Sequence, residues 1–198
     1  MKIDWDFPQP RKGLAGEWDK LIGPGATKSE VWSMVAFAIL AAIAAPLYAV
    51  ASGLQWGFWQ LLFAGLAALD LTGGIFTNAT SAAKRWYHRD GHGRWQRFGF
   101  VALHALYIFM VAFLYRDMDW DYFFSLTLYL LGGTAIILWT PLYLQRPVAM
   151  TTFAFSIPFC LYVIQPTPGL EWFIPFLFLK LMVGHAVREE PYQPERNA

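Results

Sequence analysis

Residues 61–80, LLFAGLAALDLTGGIFTNAT, form an apolar run long enough to cross a membrane as one helix, and Asp70 lies in the middle of it. At helical spacing, the face of Asp70 also carries a stripe of small and polar residues: Gly73, Gly74, Thr77, Asn78 and Ser81. Small residues of this kind also let two helices pack closely. A carboxylate within a bilayer is costly, however, and such groups usually face a protein interior or a water-filled cavity. The stretch therefore predicts a transmembrane helix whose polar face meets another part of the protein.

The composition extends this interpretation to the whole chain. Of the 198 residues, 57% are hydrophobic and only 15% are charged, whereas soluble domains average about 25% charged residues. The net charge of +1 argues against a nucleic-acid partner. Cys160 is the only cysteine, so the chain cannot form an internal disulfide, and the polar first thirty residues lack the apolar core of a secretory signal.

Six segments are apolar and long enough to be transmembrane helices, and they predict an all-α, polytopic bundle. Each needs about 20 residues to cross the hydrocarbon core. We place the six spans near 31–53, 56–80, 98–115, 122–144, 148–165 and 171–187, preceded by a cytoplasmic segment, 1–30, and followed by a cytoplasmic tail, 188–198.

The fifth span is expected to be irregular. Pro147 and Pro166 bracket it and Pro158 interrupts it, which predicts a short, kinked helix. A re-entrant segment is the alternative, and it would reverse the orientation of everything that follows.

The distribution of basic residues predicts the orientation. With both termini in the cytoplasm, every Lys and Arg falls on the inner side except Arg116, in an outer turn, and Lys180, within the last span. Tryptophans lie at the predicted ends of spans, where amphipathic rings prefer to be: Trp32, Trp56, Trp59, Trp120, Trp139 and Trp172. The expected location is a plasma or inner membrane, with the lipid bilayer as the first partner.

Lys180 is the second charge that the bilayer should penalise. Counting along the helices places it at a depth from which its long side chain can reach Asp70, if the two helices are neighbours. A buried Asp70–Lys180 pair would be either a structural lock or part of a proton or substrate site. The alternative is that Lys180 extends its ammonium group toward the lipid head groups.

Histidines provide further candidates for acid–base chemistry. His104, one turn before Tyr107, and His185 both fall in the cytoplasmic half of the membrane, as Asn78 does. Imidazole titrates near neutral pH, so either ring is suited to moving protons or, when neutral, to binding a metal. The predicted catalytic set is therefore Asp70, Asn78, His104, Lys180 and His185, although a single histidine within a helix is more often a packing residue.

The loop SAAKRWYHRDGHGRWQRFG, residues 81–99, allows two interpretations. His88 and His92 could contribute to a divalent-metal site together with His104 or His185, but the glycines favour a turn, and no familiar metal motif is present. The simpler interpretation is an interfacial loop that sets the topology and contacts lipid head groups through its basic residues, namely Lys84, Arg85, Arg89, Arg94 and Arg97.

Three functions fit this pattern. The favoured one is a membrane-embedded enzyme acting on a lipid or another amphiphile, because a carboxylate, an amide and imidazoles are predicted near one leaflet with a basic loop beside them. No GxSxG, P-loop or GxGxxG motif indicates another familiar chemistry. The alternatives are a small proton-coupled secondary transporter of a small molecule and a non-catalytic membrane subunit or assembly factor. The sequence leaves open whether the chain forms oligomers.

Overall fold

A computed structural model describes residues 2–193, and helices account for most of that length. In chain order the helices are α1 (Leu14–Ile22), α2 (Lys28–Ala51), α3 (Phe58–Ala79), α4 (Ser81–Tyr87), α5 (Arg94–Leu103), α6 (Ala105–Tyr115), α7 (Trp120–Trp139), α8 (Leu142–Pro158) and α9 (Phe173–Phe178). Two π-helical segments, Phe159–Ile164 and Leu179–His185, continue α8 and α9. Two-residue strands, β1 (Lys2–Ile3) and β2 (Tyr192–Gln193), lie near the two ends of the described chain.

Within residues 2–193, five helical segments are long and apolar enough to cross a membrane, which indicates a multi-pass membrane protein. They are α2, α3, α5 with α6, α7, and α8 with its π-helical continuation. The sixth apolar helix, Phe173–His185, is shorter, with six residues in α9 and seven in the π-helical segment. Large apolar side chains such as Leu47, Phe124, Leu128 and Tyr162 are exposed on the outside of the bundle, which is the pattern expected of a surface that meets lipid.

The boundary between the fourth and fifth spans differs from the prediction. Helix α7 ends at Trp139, and α8 already begins at Leu142, because Pro141 cannot continue a helix and restarts the chain at the N-cap of α8. The fifth span is consequently longer than predicted, at 23 residues. The predicted shortness is therefore wrong, but the helix does change to π geometry immediately after Pro158, which lacks a backbone donor.

The third span is interrupted at His104, which lies between α5 and α6. The His104 backbone N–H bonds to the Val101 carbonyl at 3.0 Å, while the side-chain Nδ1 lies 2.8 Å from the Phe100 carbonyl. The ring therefore takes the acceptor that the backbone N–H of an unbroken helix would use. The sequence contains no proline or glycine at this point that would predict the break.

The two ends of the described chain meet. Strands β1 and β2 pair antiparallel, with Lys2 opposite Gln193, and the Asp4 N–H donates to the Pro191 carbonyl at 3.0 Å. The N-terminal segment also packs on the bundle, because the Tyr87 hydroxyl donates to the carbonyls of Lys20 and Leu21 at the end of α1.

Candidate functional site

Asp70 and Lys180 form an ion pair inside the bundle. Lys180 Nζ lies 2.6 Å from Asp70 Oδ2, although the two residues are 110 positions apart in the sequence. The Lys180 side chain is only 4% exposed, whereas that of Asp70 is 37% exposed. Of the two alternatives for Lys180, the structure thus has the pair and not the extension toward the head groups.

The small-residue stripe of α3 serves two neighbours. Gly73 faces α2, where a Cβ atom would lie 3.3 Å from that of Ala38. Gly74 faces Lys180, and Asn78 Nδ2 donates to the Lys180 carbonyl at 3.3 Å, which holds the π-helical segment against α3. Ser81 does not belong to this face, because α3 ends at Ala79 and the Thr80 hydroxyl caps α4 by accepting from the Ala83 N–H.

A cavity of about 530 Å³ opens beside the ion pair. Its walls come from α1, α2, α3 and the α5–α6 pair, and most of them are apolar: Leu21, Val35, Ala38, Ile39, Leu69 and Leu103 are examples. The polar lining consists mainly of Asp70, Lys180, Asn78, His104 and Tyr107. Four of the five predicted catalytic residues therefore share one cavity, whose volume is in the range of small-molecule sites.

One ring nitrogen of His104, Nε2, can accept a proton or a hydrogen bond. Because the Phe100 carbonyl can only accept, His104 Nδ1 must carry the proton of that bond. In the neutral ring, Nε2 then holds a lone pair. The ring stacks on Tyr107 with 5.7 Å between centroids, and both residues line the same cavity as Asp70.

His185, the fifth predicted catalytic residue, does not line this cavity. The ring is 2% exposed and stacks on Phe100 with 4.2 Å between centroids, with Tyr87 edge-on at 5.3 Å. Neither ring nitrogen has a hydrogen-bond partner within the described part of the chain. His185 therefore contacts the rings of Tyr87 and Phe100, which themselves line the cavity.

His88 is part of a buried polar network that the sequence did not predict. Its Nδ1 lies 2.7 Å from a guanidinium nitrogen of Arg97 and its Nε2 lies 3.1 Å from the His185 carbonyl. Arginine can only donate and a carbonyl can only accept, so His88 is the neutral Nε2–H tautomer. Burial, followed by the charges of Lys84 and Arg97, holds the pKa of His88 well below its usual range.

The Lys84 side chain forms hydrogen bonds with carbonyl groups at the C-terminal end of the last helix. Its ammonium group donates to the carbonyls of Gly184 and Val187 at 2.6 and 2.7 Å, and Glu189 lies 3.4 Å away. Burial lowers the pKa of Lys84 to about 8, against the opposing effect of Glu189. The group thus satisfies carbonyls that a helix C-terminus leaves without partners.

The predicted lipid-contacting loop is folded into the protein at three of its five basic residues. Residues 81–87 form α4, which buries Lys84 and Arg85, and Arg97 is buried through its contact with His88. The charged groups of Lys84 and Arg97 contact protein atoms, and contact of the loop with lipid head groups stays a prediction. Arg94 is exposed, and Arg89 is half-buried with its guanidinium group 3.7 Å from the Trp86 ring.

The histidines are not arranged as a metal site. No group of three or more His, Cys, Asp or Glu side chains within the described residues is placed to share one ion. His88 uses both ring nitrogens in hydrogen bonds, and His92 lies in a separate surface hollow.

The aromatic part of the site was also missed by sequence reasoning. Tyr87 and Phe100 line the cavity and contact His185, and Trp18 of α1 also lines it. The spacing of Trp18, Leu21 and Ile22 is typical of an amphipathic helix and could have indicated that α1 packs on the bundle.

The arrangement combines a largely apolar cavity of about 530 Å³ with a carboxylate, an ammonium group and an imidazole among its lining groups. Such groups can hold a polar head group, accept a proton from it and stabilise the negative charge that results. No protein-family model, no curated protein and no solved structure shows significant similarity to this chain.

Proposed function

We propose that this protein is a membrane-embedded enzyme that binds a lipid or another amphiphile in the cavity beside Asp70 and Lys180 and performs acid–base chemistry on its head group. The observation that carries the proposal is that one cavity combines apolar walls with four polar lining side chains, Asp70, Asn78, His104 and Lys180. A purely structural ion pair would need no cavity next to it.

The proposed topology has six crossings and both ends of the chain in the cytoplasm. An odd number of crossings would separate the ends, but the β1–β2 ladder joins them. The short apolar helix Phe173–His185 is therefore counted as the sixth crossing, and the residues on either side of it span the rest of the membrane thickness. The basic residues then concentrate on the cytoplasmic side of a plasma or inner membrane.

Each polar group has a role that its contacts support. His104 Nε2 is the general base, because Nδ1 is occupied by the Phe100 carbonyl. The Lys180 ammonium group stabilises negative charge on the substrate, and Asp70 keeps Lys180 charged and oriented. Asn78 is a positioning residue, since it holds the backbone of Lys180.

The test uses a deletion strain complemented with wild type, Asp70→Asn, His104→Gln or the matched control Asp121→Asn, an exposed carboxylate in the first turn of α7. Lipid profiles are compared at equal protein abundance in the membrane. We expect the strains with Asp70→Asn or His104→Gln to accumulate the same amphiphile as the deletion strain, and the strain with Asp121→Asn to have the lipid profile of wild type. Profiles of both variants identical to wild type would contradict the enzyme proposal.

Proton-coupled transport is the second candidate, and one observation favours it. Lys180 lies on a π-helical segment, and local departures from α geometry often occur at sites that move. Transport predicts solute uptake into proteoliposomes that depends on a pH gradient and is lost in Asp70→Asn. A non-catalytic subunit, by contrast, would tolerate loss of the charge pair in both assays.

A further inference from the structure

A second hollow lies on the surface between α4 and α5, away from the ion pair. It has a volume of about 360 Å³, and its lining residues include Arg89, Arg97, Arg188, His92 and Asp90. The three arginines come from the turn after α4, from α5 and from the segment after the last helix. We call this region the arginine hollow.

The three guanidinium groups are held in place by neutral partners. Arg97, which is 9% exposed, donates to His88 Nδ1 and to the Gly93 carbonyl. Arg89 donates to the Trp86 carbonyl and stacks on the Trp86 ring. The Arg188 guanidinium lies 4.5 Å from the Trp5 ring centroid.

Within residues 2–193, none of the three arginines forms a salt bridge with a carboxylate. Among the residues that the structure describes, Asp90 is the only acidic one that lines the hollow. Like charges gathered around one space repel each other, and the repulsion is relieved when an anion enters. The arrangement therefore favours a ligand with more than one negative charge.

The start of α5 adds donors on the same side. The first N–H groups of a helix have no intrahelical acceptor. In this ten-residue helix the N-cap residue is Gly93, which has no side chain that could accept from them. Helix N-termini favour phosphate and other anions. Guanidinium groups match the oxygen spacing of phosphate and bind it in a bidentate manner.

We propose that the arginine hollow binds a phosphate group, presented either by a phospholipid head group or by a soluble phosphate compound. This site is separate from the cavity beside Asp70 and does not depend on the function proposed for that cavity. The two sources share the same chemistry, and the experiment distinguishes them.

The first arm measures binding of radiolabelled inorganic phosphate to the full chain in detergent by equilibrium dialysis. The test variant is Arg89→Gln/Arg188→Gln, which leaves the buried Arg97–His88 contact intact. The matched control, Lys12→Gln/Lys28→Gln, removes the same charge from exposed positions outside the hollow. All proteins are first shown to be monodisperse, with wild-type helix content by circular dichroism.

If the proposal is right, the test variant binds phosphate at least about tenfold more weakly than wild type, because charge-assisted hydrogen bonds are lost, while the control is unchanged. The second arm uses native mass spectrometry to compare binding of phosphatidic acid and phosphatidylcholine. Arginine-dependent binding of phosphatidic acid that displaces phosphate identifies a lipid ligand, and arginine-dependent phosphate binding without such competition identifies a soluble one. The proposal is overturned if neither phosphate nor phosphatidic acid binds in a manner that depends on Arg89 and Arg188.

Discussion

Gly74 and Lys180 are in such close contact that any larger residue at position 74 would force the Lys180 side chain to shift. A Cβ atom added to Gly74 would lie 2.3 Å from Lys180 Cε and 3.0 Å from its Nζ. The glycine in the middle of α3 is thus what allows the lysine to pass across the helix and reach Asp70, one turn away.

Gly74→Ala is therefore expected to displace Lys180 from Asp70 and to destabilise the protein by about 1–3 kcal/mol, the usual cost of overpacking a core. The matched control is Gly132→Ala in α7, where an added Cβ meets nothing within 4 Å. Thermal unfolding in detergent measures both. Equal midpoints for the two variants would show that the Lys180 side chain moves aside without cost.

The ion pair should respond asymmetrically to removal of its partners. Asp70→Leu leaves the nearly buried Lys180 ammonium group unpaired, which costs about 3–5 kcal/mol, whereas Lys180→Leu leaves a carboxylate that still reaches the cavity. The double variant should recover most of the loss, since apolar residues can replace a buried pair. The unfolding free energies of the four proteins form a double-mutant cycle. Strictly additive losses would contradict coupling between the two residues.

His88 should make the protein sensitive to acid. Its pKa in the folded protein lies below the unfolded value of 6.5, so the unfolded chain binds the proton more tightly and stability falls as the pH drops below 6.5. His88→Gln keeps an acceptor for Arg97 and a donor for the His185 carbonyl but does not titrate. The difference in unfolding free energy between the variant and wild type should grow in favour of the variant on acidification. A difference that stays constant with pH would contradict a neutral, buried His88.

Lys84 should make the stability of the protein depend on pH in the alkaline range. Its folded pKa of about 8 lies below the unfolded value of 10.5, so the cost of burying the charge disappears as the pH rises through this interval. The neutral amine still has two protons for the carbonyls of Gly184 and Val187. The stability of wild type relative to Lys84→Met should therefore increase from pH 8 to 10.5. Chemical unfolding at matched ionic strength provides the measurement, and a decrease over the interval would show that the charged form is favoured.

The Asp70–Lys180 contact could be foreseen because depth along a transmembrane helix follows from counting residues. Two opposite charges at similar depth in an apolar medium have few other polar partners, so pairing with each other is favoured. The loop after α3 could not be interpreted in the same way. A basic, aromatic stretch looks the same whether it meets lipid or folds back, and only the carbonyls of Gly184 and Val187, far along the chain, decide the position of Lys84.

The interruption at His104 also escaped prediction, for a different reason. Helix breaks are usually read from proline and glycine, but here a side-chain donor takes the place of a backbone donor. Nothing in the local pattern distinguishes His104 from a histidine within a continuous helix.

The ladder between Lys2–Ile3 and Tyr192–Gln193 has a consequence for biogenesis. The first strand is synthesised long before its partner exists, so the ladder can form only after every helix between the two strands has been synthesised. Formation of the ladder is therefore a late event in the assembly of the protein. A pair of fluorophores at these two strands would make the moment of completed assembly directly observable in a single molecule.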